Sequence, residues 1–197
     1  MAPARLILAS TSRYRKELLS RFRIPFETDA PHVDESPLAS EAPAATAQRL
    51  AHAKALVVAA RHPDAVVIGS DQVAELDGIR LDKPGTEERA IEQLMSASGR
   101  TVEFLTAVHV LSKDGPTDTS TVVPTYVTFR RFDRAVAERY VAIEQPLDCA
   151  GSAKAEGLGI ALIAAIEGPD PTALIGLPLI ALTDLLARHG MPVLDTK

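Results

Sequence analysis

The strand on which this fold is built has the sequence Val66-Val67-Ile68-Gly69-Ser70-Asp71, an apolar run that ends in two small residues and a carboxylate. A short, β-branched apolar run of this kind predicts a buried strand. Such a strand carries a carboxylate at low cost only at its tip, where the chain leaves the sheet and reaches water or a metal. We therefore expect Asp71 to belong to a functional site.

A second apolar run, Leu6-Ile7-Leu8-Ala9, leads into Ser10-Thr11-Ser12-Arg13-Tyr14-Arg15-Lys16. Thr11 or Ser12 is placed to cap a helix that reaches about Phe22. Hydroxyls, backbone N–H groups at a helix start and three cations together favour phosphate binding. The candidate phosphate ligands in this segment are Ser10, Ser12, Arg15 and Lys16.

Periodicity and turn residues predict the other elements and the fold class. Helices are expected at residues 44–61, 86–98, 133–143 and 178–189. Strands are expected at residues 25–28, 65–74, 102–111, 119–131 and 158–166, the last of these as a buried strand. Helices mixed with hairpin-linked strands predict an α/β fold with a mixed twisted sheet flanked by helices. A chain of 197 residues favours a single domain over residues 1–197.

The composition of the chain limits the kinds of partner and the cellular location that we expect for it. With a net charge of −5, the chain lacks the broad basic surface of a nucleic-acid binder. An acidic chain that binds a nucleotide must gather cations locally, and the sequence offers Arg13, Arg15, Lys16, Lys54 and Lys83. No segment approaches the ~20 apolar residues that span a bilayer, and Leu6–Ala9 is too short for a signal-peptide core. The single cysteine, Cys149, favours a reducing cytoplasm and serves as a small apolar filler rather than a nucleophile.

Six short motifs resemble those of the Maf family and occur in the same order, from about Arg5 to past Leu182. They are Leu8-Ala9-Ser10-Thr11-Ser12 with Arg15, Val33-Asp34-Glu35, Ile68-Gly69-Ser70-Asp71-Gln72-Val73, Lys83-Pro84, Ser98-Gly99-Arg100 and Gly176-Leu177-Pro178. The resemblance implies an inosine-triphosphatase-like α/β fold and a nucleoside triphosphate pyrophosphatase. It also implies a homodimer at the level of the family.

Two features resemble the Maf subgroup that acts on 7-methyl-GTP. Gln72 follows the strand-tip aspartate, where the subgroup acting on dTTP and UTP usually has threonine, and Glu156 lies in a later segment where that subgroup has no matching glutamate. Arg13 and Lys16 depart from the pattern, which commonly has proline and arginine at these positions. Lysine keeps the charge but loses the bidentate fork of arginine.

The resemblance also assigns catalytic roles. Pyrophosphate release requires water to attack the α-phosphorus while the leaving group is neutralised, which Mg²⁺ (or Mn²⁺) with lysine and arginine would provide. Asp71 is by resemblance the general base, although its chemistry fits a metal ligand equally well. Glu35 is the expected second acidic group at the metal, and Lys54 and Lys83 are the expected catalytic cations. Each of Glu35, Lys54 and Lys83 also fits a simple solvated charge.

Base recognition supplies an independent argument for the substrate. Guanine presents two adjacent N–H donors that one carboxylate such as Glu156 accepts together, whereas uracil or thymine would present lone pairs to it. We assign Gln72 to the same base edge. Methylation at N7 makes the ring cationic, and Tyr14 is a candidate to stack on it, although a half-buried aromatic on the first helix explains Tyr14 equally well.

The sequence thus predicts a hydrolase that removes modified nucleotides. Its alternatives are a dTTP/UTP pyrophosphatase of the sister subgroup and a non-catalytic, nucleotide-sensing regulator of cell division. A tRNA- or DNA-binding protein is disfavoured by the net charge. His32 and His52 lack the spacing of metal ligands, so no zinc site is predicted.

Overall fold

A computed structural model of the chain describes residues 5–116 and 119–194. Its helices are α1 (Arg13–Ser20), α2 (Pro43–Arg61), α3 (Glu87–Ala97), α4 (Arg134–Glu144) and α5 (Leu179–Arg188). Its strands are β1 (Arg5–Leu8), β2 (Glu27–Thr28), β3 (Ala65–Leu76), β4 (Ile79–Arg80), β5 (Thr101–Leu111), β6 (Ser120–Phe129) and β7 (Ile163–Glu167). Within these described residues, no helix is long and apolar enough to cross a membrane.

The strands form one mixed sheet in the order β2-β1-β3-β5-β6-β7, and β4 pairs with β3. β1 runs parallel to both β2 and β3, with Leu8 opposite Thr28 on one side and Ile68 on the other. β4 and β7 run antiparallel to their partners. The prediction of an α/β fold with a mixed sheet is therefore confirmed.

The chain folds as two compact units, and the division falls within β3, β5 and β6. The first comprises the described residues of Met1–Asp71, Thr106–Val123 and Asp170–Lys197. The second comprises Gln72–Leu105 and Pro124–Pro169. The single domain over residues 1–197 stays a prediction.

In the first unit the alternation of strand side chains builds two buried cores. One face of the sheet packs against α1 and α5, with a core that includes Leu6, Leu8, Val66, Ile68, Leu18, Leu19, Leu182 and Leu186. The opposite face packs against α2, with a core of Ile7, Ala9, Ala65, Val67, Ala55 and Val58. The two-residue period of a strand explains this division, because neighbouring side chains point to opposite faces. Both faces of β1 and β3 are thus covered, as the continuous apolar runs predicted.

Helix α1 begins as predicted and ends early. The Ser12 hydroxyl accepts a hydrogen bond from the Arg15 N–H at 3.4 Å and caps the helix. The helix ends at Ser20 rather than near Phe22, because the following N–H groups bond three residues back in tighter turns. Arg23 then takes a left-handed conformation with φ of 56°, which turns the chain toward β2.

In the second unit α3 and α4 contact each other. Their first turns are capped as their sequences predict: the Thr86 hydroxyl accepts from the Arg89 N–H, and the Asp133 carboxylate accepts from the Val136 N–H. Their buried residues are Ala90, Ile91, Leu94, Ala97, Ala137, Tyr140 and Val141.

The prediction of a buried strand at residues 158–166 is wrong in where the strand begins and in its burial. Residues 158–162 form a 3₁₀ helix, and the strand β7 occupies Ile163–Glu167 with only Ile163 buried. Gly159 allows this turn to pack on the Lys154 backbone, because a Cβ there would lie only 2.5 Å from the Lys154 carbonyl oxygen. β7 is the last strand in the sheet order and pairs only with β6 in the described sheet, which leaves much of its surface in water.

Candidate active site

Gly69 sets how closely α2 approaches β3. A Cβ at this position would lie 2.1 Å from the Ala51 carbonyl oxygen and 2.8 Å from the Ala55 backbone nitrogen. Real Cβ atoms do not come this close to backbone atoms, so only glycine allows the contact. Ala51 and Ala55 flank Lys54 on the helix, and Asp71 follows Gly69 on the strand. The small residues of the motif therefore bring Lys54 and Asp71 together.

Lys54 lies between two carboxylates. Its ammonium Nζ lies 2.6 Å from Asp71 Oδ1 and 2.6 Å from Glu35 Oε1. Lys54 and Asp71 are buried, whereas the Glu35 side chain is 49% exposed. The prediction that Asp71 lies at a strand tip is wrong, because β3 continues through it to Leu76 and Lys54, rather than water, balances its charge. A buried charge pair of this kind is expensive to assemble and is weak evidence for a stabilising role. Two carboxylates around one cation instead mark a candidate catalytic centre.

Arg15 supplies a second cation near this centre. Burial lowers the pKa of its guanidinium, and the nearby charges of Asp71 and Glu35 oppose that shift. Arg15 Nε donates to the Gly176 carbonyl at 2.8 Å, and Ser70 Oγ donates to the same oxygen at 2.9 Å. Gly176 adopts φ of 112°, a conformation that favours glycine. Its carbonyl therefore orients Arg15, a role that the sequence motif alone did not reveal.

Ser10 and Ser12 lie where β1 leads into α1. Ser10 is buried, and its Oγ accepts a hydrogen bond from the Ser12 N–H at 3.1 Å. Ser12 in turn caps α1. Both hydroxyls therefore have structural contacts, and each retains a lone pair or a donor that a phosphate could use.

Tyr14 contacts Arg13, and Lys16 lines a cleft on the surface. The Arg13 guanidinium lies 4.7 Å from the centre of the Tyr14 ring, and its Nη2 donates to the Tyr14 hydroxyl at 2.7 Å. One face of the ring thus already has a cation. Lys16 lines an open cleft of about 620 Å³, together with Arg13, Glu17, Ser20, Arg23, Ile24, Pro25 and Phe26. Neither Asp71 nor Lys54 lines this cleft.

A second ion pair near the centre was missed by sequence reasoning. Arg49 on α2 binds Glu41 in bidentate fashion, with Nε–Oε1 of 2.7 Å and Nη2–Oε2 of 2.8 Å. Arg49 Nη2 also donates to the Ser36 carbonyl at 3.1 Å. Hydrogen bonds from Arg49, Thr46 and Leu38 lower the pKa of Glu41 to about 2, against a smaller opposing effect of desolvation.

Three of the predicted site residues, Gln72, Lys83 and Glu156, lie in the second unit. Gln72 directly follows Asp71 along β3 and is half-buried. Lys83 is exposed and precedes the buried Pro84. The Gly85 N–H donates to the Leu147 carbonyl at 3.1 Å, which ties this loop to the segment after α4.

Glu156 is exposed on a segment anchored by Lys154. The buried Lys154 Nζ donates to the carbonyls of Glu144 and Gln145 at 3.2 Å each, at the end of α4. The backbone N–H of Lys154 donates to the Tyr140 hydroxyl at 3.0 Å. The nearby Cys149 is partly buried, and desolvation raises the pKa of its thiol to about 12, which suits a filler and not a nucleophile.

The carboxylate oxygens of Asp71 and Glu35, which surround Lys54, suit a hard divalent cation. No group of three or more His, Cys, Asp or Glu side chains among residues 5–116 and 119–194 is arranged to hold a metal. Mg²⁺, however, is often bound by one or two carboxylates and completes its shell with water and substrate phosphates. Asp71 and Glu35 meet that requirement, because both already lie within hydrogen-bond distance of one cationic group.

An α/β fold that gathers two carboxylates, a lysine and an arginine around one position on a buried strand defines a class of protein suited to binding phosphates. A family model described as Maf-like protein matches residues 5–189. The chain belongs to the Maf family.

Several curated relatives cover nearly the whole chain. A 7-methyl-GTP pyrophosphatase of Bordetella pertussis is 57% identical over 190 residues, which are 96% of this chain and 94% of that protein. Proteins of the same name from Burkholderia orbicola and Polaromonas sp. are 55% and 53% identical, over 98% and 94% of this chain and 94% and 85% of theirs. The solved Staphylococcus aureus Ham1 protein matches at a TM-score of 0.40 and 17% identity, over 64% of this chain and 71% of that one, which is too weak to support an argument.

Proposed function

We propose that the chain is a nucleoside triphosphate pyrophosphatase that hydrolyses 7-methyl-GTP to 7-methyl-GMP and diphosphate. The observation that carries this proposal is the pair of 2.6 Å contacts that join Lys54 to Asp71 and Glu35. The names of the relatives, each more than 50% identical, support the substrate.

Asp71 and Glu35 would hold a divalent cation, Mg²⁺ or alternatively Mn²⁺. When bound, that ion supplies charge neutralisation to the phosphates and orients them. Asp71 accepts the proton of the attacking water in our proposal, as a general base. Its buried position and fixed contact with Lys54 suit a base that must keep one orientation.

The cations of the chain neutralise the substrate. Lys54 balances the two carboxylates before the substrate binds, and its ammonium has a third N–H to offer a phosphate oxygen. Arg15, oriented by the Gly176 carbonyl, presents a guanidinium that suits phosphate oxygens. Ser10, Ser12 and Lys16 are proposed phosphate ligands, and Lys83 is a proposed catalytic cation.

Glu156 and Gln72 are the proposed readers of the base. A carboxylate accepts both N–H groups on the Watson–Crick edge of guanine, and a pyrimidine offers no such pair. Glu156 is exposed and its segment is anchored by Lys154, so its carboxylate is accessible to a ligand. We propose Tyr14 for stacking on the cationic ring.

We also propose a cytoplasmic house-cleaning role, in which modified nucleotides are removed before they are incorporated, and a homodimer as the assembled form. Support for the location comes from the single, partly buried cysteine.

Pyrophosphate release from a panel of nucleotides tests the proposal. The panel contains 7-methyl-GTP, GTP, UTP and dTTP, each with Mg²⁺, with Mn²⁺ and with EDTA. We expect metal-dependent release that is fastest with 7-methyl-GTP. A preference for UTP and dTTP would support the sister activity, and binding without turnover of any nucleotide would support a nucleotide-sensing regulator.

A further inference from the structure

The loop that carries Glu35 is held by contacts rather than by secondary structure. Residues 29–42 join β2 to α2, and the structure describes them all without a helix or strand. A loop of this length loses much conformational entropy when it is ordered. Since Glu35 is half exposed, its 2.6 Å contact with Lys54 requires the loop to be fixed by its neighbours.

Arg49 contacts this loop at two places. Its guanidinium donates to the Ser36 carbonyl, one residue beyond Glu35, and grips the Glu41 carboxylate with two nitrogens. The Glu41 Oε2 accepts in turn from the Leu38 N–H at 3.3 Å and from the Thr46 hydroxyl at 2.9 Å. Glu41 is largely buried, with a side chain only 10% exposed. Bidentate, partly buried pairs of this kind fix geometry more strongly than surface pairs do.

The residue after Glu35 is thus held from both sides. The Ser36 N–H donates to the Asp34 carboxylate at 2.9 Å, and the Ser36 carbonyl accepts from Arg49. Arg49 lies on α2, the helix that also bears Lys54. Helix α2 therefore positions both the Lys54 ammonium and the point at which the Glu35 loop is attached.

We propose that Arg49 is a positioning residue that acts through Glu41 and Ser36 to hold Glu35 against Lys54. The inference rests on the proposed function for its kinetic consequence but not for its structural one. Loss of a residue that orients a metal ligand typically lowers activity or metal affinity by roughly 10–100-fold.

Arg49→Gln is the test variant, and Arg5→Gln is its matched control. Arg5 forms a bidentate pair with Glu27 at 3.0 and 2.9 Å in the same unit, but it does not contact the Glu35 loop in any described hydrogen bond. We expect Arg49→Gln to lower kcat/KM for 7-methyl-GTP at least tenfold and to raise the Mg²⁺ concentration needed for half-maximal rate. Arg5→Gln should leave both unchanged.

Two readouts separate positioning from general loss of structure. Hydrogen exchange at the amides of Ser36 and Leu38 should accelerate about tenfold or more in Arg49→Gln and stay unchanged in Arg5→Gln. In the Glu35→Gln background, adding Arg49→Gln should cost little further activity, because the residue that it positions is already lost. If Arg49→Gln does not fold, Arg49→Lys keeps the charge without the fork and should show a smaller change in the same direction.

Each result decides the inference. Unchanged exchange at Ser36 and Leu38, or a full and independent loss of activity in the double variant, would overturn it. If the wild type releases no pyrophosphate from any nucleotide, the proposed function fails, while the exchange experiment still decides whether Arg49 holds the loop.

Discussion

Lys54 and Asp71 meet at 2.6 Å although they belong to different elements, one to helix α2 and the other to strand β3. Both are buried, so the pair is shielded from water on most sides. The close approach of helix and strand that produces this contact depends on Gly69. A backbone position without a side chain thus determines the geometry of the proposed catalytic centre.

Gly69→Ala should separate this pair. The new Cβ would meet backbone atoms of α2, which cannot rotate away as a side chain would. We expect the free energy of unfolding to fall by about 1–3 kcal/mol, as is typical of overpacking, and the hydrolysis rate to fall as well. Urea unfolding and initial rates measure the two effects. An unchanged stability and rate would show that α2 and β3 are not in such close contact.

Removal of a phosphate ligand should weaken the substrate's binding without changing base preference. We expect Arg15→Ala and Lys83→Ala each to lower kcat/KM by roughly tenfold or more, since each loses a charge-assisted contact. The ranking of 7-methyl-GTP, GTP and UTP should stay the same, because phosphate carries no information about the base. Arg21→Ala, an exposed arginine at the end of α1, is the control. A changed ranking in either variant contradicts the assignment.

Glu156→Gln should change base preference. The substitution removes the paired acceptor for guanine and supplies an amide that also donates to a carbonyl. A lost charge-assisted hydrogen bond costs about 1.5–3 kcal/mol, which lowers activity on 7-methyl-GTP by roughly tenfold to a hundredfold. The measurement is the ratio of kcat/KM for 7-methyl-GTP to that for UTP. Glu92→Gln, on the exposed face of α3, should leave the ratio unchanged; an unchanged ratio in Glu156→Gln would show that Glu156 does not read the base.

The sequence predicted much of this architecture because the relevant signals are local. The apolar run before Asp71 predicted β3, and the hydroxyl of Ser12 predicted the start of α1. The contacts of Lys54 with Asp71 and with Glu35 bring together three residues that the Maf resemblance singled out. A carboxylate in a buried strand is visible in sequence because it interrupts an apolar pattern.

Other features depend on contacts between distant residues and had no local signal. The Arg15 guanidinium is oriented by the carbonyl of Gly176, 161 residues further along the chain. Arg49 and Glu41 are separated by the start of α2, so no helical spacing joins them. Arg15 and Lys16 are neighbours in sequence, but successive residues on a helix point about 100° apart. Lys16 therefore lines the cleft beside α1, whereas Arg15 lies near the charges of Asp71 and Glu35.

His109 should make stability depend on pH. It is buried, and neither ring nitrogen has a hydrogen-bond partner among the described residues. Burial lowers its pKa to about 4, and the charges of His52 and His189 add to the shift. Since the unfolded chain binds the proton near pH 6.5, stability is fully present above that pH and falls as the pH drops toward 4, by up to about 2–3 kcal/mol.

Urea unfolding at pH 7.5, 6.5 and 5.5 measures that effect. His109→Phe keeps a ring but cannot be protonated, so it should lose less stability between pH 7.5 and 5.5 than the wild type does. His52→Gln should retain most of the wild-type dependence, because burial lowers the His109 pKa more than the charge of the exposed His52 does, although the two rings lie 4.7 Å apart between centroids. An identical loss in wild type and His109→Phe would assign the dependence to other groups.

The most direct test of the central claim compares pyrophosphate release from 7-methyl-GTP by wild type, Asp71→Asn and Asp64→Asn at saturating Mg²⁺. Asp64 is exposed and directly precedes β3, so its variant makes the same chemical change seven residues before Asp71. We predict that Asp71→Asn keeps the fold, checked by circular dichroism, and loses about 10²–10⁴ in kcat, as expected when a general base is removed. Asp64→Asn should match the wild type. Retention of more than half of the wild-type kcat by Asp71→Asn would contradict the account.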